Sequence, residues 1–558
     1  MNFSLLSTFL AAEESALIQQ EIGFVVLLSI AALVAILVRR IRLPYTVALV
    51  IVGLILSFFP DLIEFEISSD LILAILVPPL LFEATLHIPW KKLRADLLPI
   101  LLLAMVGTLV GTFLVGGIVQ QVLNIPWAAA IAFGALISAT DPVAVIAFFR
   151  SLGVSKRLTV LVEGESLFND GVAIVIFNLA VAAGAITASG SGEAAFNLSD
   201  ALIEFFIVAF GGLAVGLALG YIVSYVILKN VDDHLIETAT TVALAFGSYL
   251  VAEQFGALIG QDGLHFSGIL AVVAAGLMVG NIGLQNTSPT TKITLDNFWE
   301  FLTFVVNSLV FLVIGIRIEF RELLPNIVPI VVAVMAILFS RFLIIYGITM
   351  FHARIRPRSI IPTGFRHVMY WGGLRGAISL ALALTFTGEV FGAEVANDLQ
   401  VMTFGVVLFT LLVQGLTIEK LIKNLGLVKS SPHRLEQQKQ QALLYAKRAG
   451  KIELDRLRQE GIIYRGIWEA MGNVYDNEIA NQKAELGDLL EKYPELEQEM
   501  YLQAREDVLR AERSAVADAA RRGLISEDAH HALTRDLNEQ VAALELLKDN
   551  RGLEDSKT

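Results

Sequence analysis

The chain has 558 residues, of which 55% are hydrophobic and 17% are charged, and its formal net charge is −13. Soluble domains are about half apolar and about a quarter charged, so this composition excludes both a single soluble globule and a disordered chain. The acidic balance does not favour a nucleic-acid partner, and the absence of cysteine excludes disulfides and zinc sites with Cys ligands.

Charged residues concentrate at the carboxyl end of the chain. Residues 424–558 hold 45 of the 95 charged residues, although they make up less than a quarter of the chain. We therefore predict an N-terminal extracytoplasmic segment (1–21), a transmembrane domain (22–423) and a cytoplasmic tail (424–558) that is helical and regulatory. A solvated helical appendage is the alternative for the tail.

The transmembrane domain is predicted to be an all-α bundle of about 13 helices, because a spanning helix needs roughly 20 mostly apolar residues. Two segments are short or interrupted, so twelve spans are the alternative. In chain order the candidates are 22–39, 43–58, 70–88, 97–121, 126–149, 160–185, 201–228, 236–256, 265–282, 298–316, 326–350, 367–387 and 398–422.

The charges of the loops predict the orientation. Loops after spans one, three, five and eleven are basic, whereas those after spans two and twelve are acidic, which places the N-terminus outside and the tail in the cytoplasm. The loop after span ten does not fit this rule, since it carries Arg317 and Arg321 together with Glu319 and Glu322.

Span five contains Thr140, Asp141 and Pro142 near its middle. Proline cannot donate a backbone hydrogen bond, and it disfavours helical geometry in the residue before it. We therefore predict a helix break, which a membrane tolerates only where the backbone lines a cavity or is buried in protein. The alternative is a kink with a capping Thr-Asp pair.

Span six carries five polar side chains within an apolar segment. They are Glu163, Glu165, Ser166, Asn169 and Asp170. Their spacings of four and seven residues predict one polar stripe along the helix. Because charge is expensive inside a membrane, this stripe is expected to face the bundle interior or water. A structural polar network is the alternative.

Spans eleven and twelve each contain an arginine. Arg375 stands among three glycines, which predicts a second broken helix, and two broken helices in corresponding halves indicate a transporter site. The alternative is an Arg375 side chain that reaches the inner interface. Arg341 needs a carboxylate partner, and Glu165 is predicted to supply it. Glu83 in span three is either functional or an ordinary buried carboxylate.

The oxygen ligands of these spans suit an alkali cation or a proton rather than a transition metal. Burial disfavours the charged form of a carboxylate, whereas a bound cation favours it, so a cation and a proton compete for the same aspartate. This competition is sufficient for exchange, and a channel would not need it.

Three motifs resemble those of a known transporter family: Ala-Thr-Asp-Pro at 139–142, Glu-Gly-Glu-Ser-Leu-Phe-Asn-Asp at 163–170, and Gly-Gly-Leu-Arg-Gly at 372–376. In order and spacing they are similar to the motifs of CPA1-type monovalent cation/proton antiporters, the NhaP-like and NHE Na+/H+ exchangers. The resemblance covers roughly residues 20–422 and leaves out the tail. It implies two inverted repeats with discontinuous crossing helices, a core domain that moves against a dimerisation domain, and a homodimer in the lipid bilayer.

The resemblance also implies residue roles. Asp170 would bind Na+ and H+ in turn, in a Na+ site that includes Asp141, Thr140 and Ser166. Asn169 would shape this site and, standing in place of an aspartate, would mark the electroneutral branch. We expect no cofactor. Structural or electrostatic support is expected from Glu165, Arg341, Arg375, Glu83 and Glu163.

The predicted function is therefore secondary active, electroneutral Na+/H+ antiport for Na+ and pH homeostasis, not catalysis, in a plasma membrane that is bacterial by default. Exchange of K+ or Li+ for H+ is an alternative, and a cation-coupled solute symporter is another. An intramembrane aspartyl protease with Asp141 and Asp170 as its dyad is disfavoured, because Asp170 lacks the Gly-x-Gly-Asp setting of that family.

Overall fold

A computed structural model describes residues 22–38, 44–59, 72–188, 198–231, 233–261, 264–318, 320–428 and 432–554. Throughout these ranges the regular structure is helical, and no strand is present. The chain divides into two compact units, of which the first ends at Val428 and the second begins at Lys429. The predicted extracytoplasmic segment 1–21 lies outside the described residues.

The first unit is built from apolar helices, which we number in chain order. They are α1 (Ile22–Val38), α2 (Tyr45–Leu56), α3 (Ile72–Leu86), α4 (Leu97–Leu123), α5 (Trp127–Ser138), α6 (Val143–Leu152), α7 (Lys156–Ala188), α8 (Leu198–Ile222), α9 (His234–Glu253), α10 (Gly268–Gly283), α11 (Pro289–Arg317), α12 (Ile327–Ile355), α13 (Thr363–Trp371), α14 (Ala377–Ala383) and α15 (Ala393–Asn424). Short helical turns connect several of them, at Trp90–Ala95, Phe255–Ile259, Phe320–Leu323, Pro357–Ser359 and Gly388–Phe391.

The described residues contain eight helical segments that are long and apolar enough to cross a membrane, and α5 with α6 counts as one of them. Helices α1, α2, α3 and α10 are shorter apolar helices. Together with the interrupted pair α13 and α14, these elements follow the order of the predicted spans. The number thirteen itself stays a prediction.

Both predicted helix breaks are present. Span five stops at Ser138 and resumes at Val143, because Ala139 is extended and Pro142 starts the next helix. Span twelve stops at Trp371 and resumes at Ala377, with the glycine-rich residues 372–376 between the two halves. The fold therefore has two discontinuous helices, one in each half, as the predicted inverted repeats require.

Helices α2 and α11 cross with their backbones in contact. A Cβ atom on Gly53 would lie 2.3 Å from the carbonyl oxygen of Leu312, and one on Gly315 would lie 2.4 Å from that of Val50. Small residues at such crossings are typical of membrane helices, which gain close packing rather than hydrophobic burial when they associate. Large apolar side chains on the outer faces, such as those of Ile203, Phe210 and Phe339, remain exposed for lipid to cover.

The second unit consists of two helical hairpins. Its helices are α16 (Pro432–Gln459), α17 (Arg465–Lys492), α18 (Pro494–Arg521) and α19 (Glu527–Glu554). Lys447 and Glu478 form an ion pair of 2.7 Å between α16 and α17, while Leu509, Leu537 and Leu544 form a small apolar cluster between α18 and α19. The helices of the tail are interrupted at Tyr493-Pro494, since α17 ends at Lys492 and α18 begins at Pro494.

Candidate functional site

The two helix breaks touch each other in the middle of the first unit. The backbone N–H of Asp141, between α5 and α6, donates to the carbonyl oxygen of Leu374, between α13 and α14, at 2.8 Å. Each break exposes backbone groups that a helix would otherwise satisfy. At the crossing, a backbone group of one break satisfies a backbone group of the other, although the two residues are more than 230 positions apart in the chain.

The Asp141 carboxylate faces the amino-terminal ends of two half-helices. Its Oδ1 atom accepts a hydrogen bond from the backbone N–H of Val143 at 2.9 Å, and the backbone of Ala377 donates to the same carboxylate. A Cβ atom on Gly376 would lie 1.9 Å from Oδ2 of Asp141, so only glycine fits here. Because the positive ends of the α6 and α14 dipoles meet at this point, they stabilise the negative charge of Asp141.

Arg375 satisfies the carbonyl ends of the same crossing. Its side chain is 3% exposed, its Nε atom donates to the carbonyl oxygen of Ile137 at 2.7 Å, and its Nη1 atom donates to that of Gly373. The backbone N–H of Arg375 donates to Oγ1 of Thr410 at 3.2 Å. Arg375 is therefore bound within the bundle, and the alternative in which it reaches the interface is wrong.

A cavity of about 80 Å³ adjoins the crossing, and Asp170 is among the residues that line it; we call it the Asp170 cavity. Its polar lining residues are Thr140, Asp141, Glu163, Ser166, Asp170 and Ser379. The Ser166 hydroxyl donates to the carbonyl oxygen of Thr140, and the backbone amide of Thr140 forms a hydrogen bond with Asp170. The cavity thus joins carboxylate and hydroxyl oxygens to the unwound backbone of the first break.

These oxygen atoms are hard ligands, which suit an alkali cation or a proton. A water molecule requires roughly 10–15 Å³ measured in the same way, so the Asp170 cavity has room for a cation with part of its hydration shell. Asp170 is 7% exposed, and it lies in α7 beside a broken helix, the kind of backbone that a membrane tolerates where it lines a cavity.

The family model described as "Sodium/hydrogen exchanger, transmembrane" matches residues 26–424. The chain belongs to this family. The exchanger is 41% identical to the Na+/H+ antiporter ApNhaP of Aphanothece halophytica over 388 residues, which are 69% of this chain and 70% of that relative. It is 34% identical to the Na+/H+ antiporter NhaG of Bacillus atrophaeus over 518 residues, 91% of this chain and 94% of the relative, so this likeness extends into the tail.

Solved structures of the family share the fold of this exchanger. The sodium proton antiporter MjNhaP1 from Methanocaldococcus jannaschii superposes with a TM-score of 0.59 at 21% sequence identity, over 73% of this chain and 99% of that chain. At this level of identity the likeness concerns the fold alone. It agrees with the all-helical bundle predicted from the sequence.

Glu165 and Arg341 of this exchanger form the ion pair that the sequence predicts. Nη1 of Arg341 lies 3.0 Å from Oε1 of Glu165, and Nη2 lies 3.4 Å from Oε2. The Nε and Nη2 atoms of Arg341 also donate to the carbonyl oxygen of Met369, at 3.2 and 2.9 Å. The pair therefore joins α7 to α12 and to the last turn of α13.

Asn169 is held by three partners, one of which, Thr140, also lines the Asp170 cavity. Its Nδ2 atom donates to the carbonyl oxygen of Ser138 at 2.9 Å and to Oγ1 of Thr140 at 3.3 Å, while its Oδ1 atom accepts from the Thr108 hydroxyl at 2.8 Å. Asn169 and Glu165 line a separate cavity of about 20 Å³, which we call the Asn169 cavity. The amide thus ties the end of α5 to α4 and α7.

The prediction of one polar stripe on α7 is wrong, because the polar side chains divide between two faces. Glu163, Ser166 and Asp170 line the Asp170 cavity, whereas Glu165 and Asn169 line the Asn169 cavity. Residues 163, 166 and 170 are three and four residues apart and therefore share one face. Residues 165 and 169 each precede one of them by a single residue, which rotates them by roughly 100° to the neighbouring face. Both faces point into the bundle, as predicted.

Glu83 is not among the residues that line the Asp170 cavity. Its Oε1 atom lies 3.5 Å from Nδ1 of His87, whose Nε2 atom lies 3.7 Å from Oδ1 of Asp296. Glu83 and Arg150 are nevertheless the charged neighbours of Glu163. The structure therefore groups Glu83 with Glu163 at one end of the cavity, apart from Asp170.

The sequence did not predict two of the polar contacts that the structure contains. The Thr108 hydroxyl orients Asn169 from a position 61 residues earlier, without any local signal. Arg157, which the sequence offers only as a basic loop residue, binds both carboxylate oxygens of buried Asp96, at 2.7 and 2.8 Å. The position of Asp96 directly before an apolar run could have identified it as a carboxylate in need of a partner.

Proposed function

We propose that this protein is a secondary active Na+/H+ antiporter that binds one Na+ or one H+ at Asp170. Its membership of the exchanger family supports this function, and so does its likeness to two curated Na+/H+ antiporters. The observation that carries the assignment to Asp170 is the cavity: within the described residues, the Asp170 carboxylate shares it with hydroxyl oxygens and an unwound backbone.

In the proposed mechanism, Na+ binds the Asp170 carboxylate together with the hydroxyl oxygens of Ser166 and Thr140. Asp141 contributes the lone pairs that its two backbone hydrogen bonds leave free, since a carboxylate has about four acceptor positions. Na+ and a proton compete for Asp170, because a carboxylate in a water-poor cavity holds its charge only beside a cation. Each ion therefore leaves when the other arrives.

In this proposal, exchange is electroneutral because only one carboxylate of the site is free to exchange a proton for a cation. Glu165 is neutralised by Arg341, Asp141 is held by two half-helix ends, and Glu163 lies two helical turns from Asp170. In this proposal Asp170 alone therefore changes its occupant. One Na+ then crosses for one H+. Alternating access would carry the occupied core past α3 and α11, with Asp170 open first to one membrane face and then to the other.

The remaining parts of the proposal concern the cellular setting. We place the protein as a homodimer in the plasma membrane of a bacterium, with the N-terminus outside and the tail in the cytoplasm, where exchange would serve Na+ and pH homeostasis. The relatives with matching tails support a bacterial source, since NhaG is from a Bacillus. The preference among Na+, K+ and Li+ is part of the proposal, and rates with each cation would measure it.

The experiment is Na+-driven proton movement in proteoliposomes that contain the full-length protein and a pH-sensitive dye. We expect Asp170→Asn to abolish exchange, because an amide neither binds a proton nor balances a cation. Asp398→Asn, a matched substitution outside the Asp170 cavity, should retain it. Full exchange by Asp170→Asn would contradict the assignment.

The same vesicles test the stoichiometry. A K+ diffusion potential imposed with valinomycin should leave the initial exchange rate unchanged, because an electroneutral cycle moves no net charge. A rate that follows the sign of the potential would overturn one-for-one exchange while leaving Asp170 as the carrier.

A further inference from the structure

An apolar cavity of about 20 Å³ adjoins the Asp170 cavity at α14, and we call it the Arg317 cavity. Ala377, in the first turn of α14, lines both cavities. The Arg317 cavity continues along α14 past Leu380 to Leu384, away from the helix break. Nine of its ten lining residues are apolar, and the tenth is Arg317, the last residue of α11.

The two cavities lead from Ala377 towards groups of opposite charge. In the Asp170 cavity, Glu163 lies two helical turns before Asp170, about 10 Å nearer the amino terminus of α7, with Glu83 and Arg150 as its charged neighbours, so the two carboxylates outnumber the one guanidinium. In the other direction stands the half-buried guanidinium of Arg317, with which no described carboxylate forms an ion pair. Arg317 is also the charge that does not fit the orientation rule.

We propose that the Arg317 cavity is the outer half of the ion pathway, and that Arg317 weakens the binding of Na+ from the outer side. This inference rests on the proposed function. A single positive charge within about 8 Å of the path, at an effective dielectric constant between those of protein and water, lowers the local concentration of a monovalent cation about three- to tenfold. At the other end, the negative charge of Glu163 raises the local concentration of the cation. The pathway is therefore electrostatically asymmetric.

Arg317 acts on Na+ and H+ alike, because both carry one positive charge. Its removal strengthens the binding of both ions from the outer side by the same factor, so the equilibrium of exchange is unchanged. In acid, where protons occupy the site, the stronger binding of Na+ is offset by the equally stronger competition from H+, so the apparent KM for Na+ does not change. In alkali, where protons do not compete, the whole effect on the KM remains.

The test compares the two membrane faces. Right-side-out vesicles expose the outer face and everted vesicles the inner face, both prepared from cells that lack other Na+/H+ antiporters and express the full chain. At alkaline pH, Arg317→Gln should lower the apparent KM for outer Na+ about three- to tenfold and leave the inner KM unchanged. At acidic pH the outer KM should equal that of the wild type.

Two controls accompany this variant. Arg317→Lys keeps the charge and should keep the wild-type KM. Arg321→Gln removes an exposed charge four residues later, outside the cavity, and should change neither KM. An Arg317→Gln protein whose KM is unchanged on both faces, or changed equally on both, would overturn the inference. If the wild type moves no protons with Na+ on either face, the proposed function itself fails.

A measurement on the wild type covers the case in which Arg317→Gln does not fold. In phosphatidylcholine proteoliposomes of known orientation, added choline chloride screens charges at both mouths. The KM for Na+ should fall on the Arg317 side and rise on the Glu163 side. Changes of the same sign on both sides would contradict the proposed asymmetry.

Discussion

Two neighbouring faces of α7 carry polar side chains at the same depth, yet they differ in how their hydrogen-bonding groups are satisfied. On one face, Glu165 and Asn169 are bound by protein partners from α4, α5, α12 and α13. On the other, Asp170 and Ser166 line a cavity with room for a hydrated ion. Burial in a membrane protein therefore does not by itself identify a functional group, since the first face is as buried as the second.

The largest effect on stability is expected when the bound face is broken. Glu165→Ala leaves the Arg341 guanidinium without its carboxylate, and breaking one half of a buried ion pair costs about 3–5 kcal/mol. We expect a strongly lowered melting temperature in detergent, measured by fluorescence-detected size exclusion, whereas Asp170→Asn should melt like the wild type.

The double variant Glu165→Met with Arg341→Met is the control for this prediction. It removes both charges and should recover most of the lost stability. If Glu165→Ala melted like the wild type, the two faces of α7 would not differ as described.

The next effect concerns the contact between the crossing and Asp141. Gly376→Ala places a methyl group where Oδ2 of Asp141 now lies, so the carboxylate must leave the half-helix ends. We expect the exchange rate to fall at least about tenfold, as misplacement of a binding group by about 1 Å does in enzymes. Gly247→Ala is the matched control, because nothing lies within 4 Å of the added Cβ atom. Equal activity of both variants would contradict this role of Gly376.

A smaller effect is expected from the hydroxyl that orients Asn169. Thr108→Val leaves the Oδ1 atom of Asn169 without its donor, which costs about 1–3 kcal/mol. The melting temperature should fall while the KM for Na+ changes little, because this variant keeps the hydrogen bond from the Asn169 amide to the Thr140 hydroxyl. Thr112→Val, one turn later on α4, removes a buried hydroxyl that has no hydrogen-bond partner among the described residues, and it should be neutral or stabilising. A changed KM without a changed stability would place Asn169 in the ion site.

The smallest effect concerns an exposed carboxylate outside the spans. Asp233 caps α9 by accepting hydrogen bonds from the backbone N–H groups of Leu235 and Ile236, and these bonds lower the pKa of Asp233 below its ordinary value. A lowered pKa means that this carboxylate stabilises the fold at neutral pH and stops doing so as the pH falls through the folded-state pKa, below about 4.

Asp233→Ala should therefore lower the melting temperature slightly at pH 7 and less at pH 3. Asp233→Ser supplies a cap that does not titrate, so its stability relative to the wild type should rise in acid. A difference between the wild type and Asp233→Ala that grows in acid would have the wrong sign for this explanation.

Local signals made much of the fold predictable. Pro142 and the glycines at 372–376 located both helix breaks, because they change the backbone wherever they occur. The pairing of Glu165 with Arg341 was predictable from the free-energy cost of an unpaired charge inside a membrane, since each of the two charges needs a partner there.

The division of α7 into two faces was not predictable in this way. Residues 165 and 166 are adjacent in the sequence. Only the positions of α4, α5 and α12 decide that Glu165 forms an ion pair, whereas Ser166 lines the larger Asp170 cavity. Arg317 was visible as an exception among the loop charges, but its cavity requires residues from four helices.

The hydrogen bond between the backbone of Asp141 and that of Leu374 has a consequence for how such a transporter can diversify. Because both partners are main-chain atoms, nearly every substitution at these positions preserves the bond, and proline at 141 is the exception. The backbone geometry of the crossing therefore depends little on which side chains occupy these two positions. Under the proposed assignment, substitutions at Ser166 or Thr140 would change the preferred cation through their hydroxyl groups, while the backbone geometry around Asp170 would be kept.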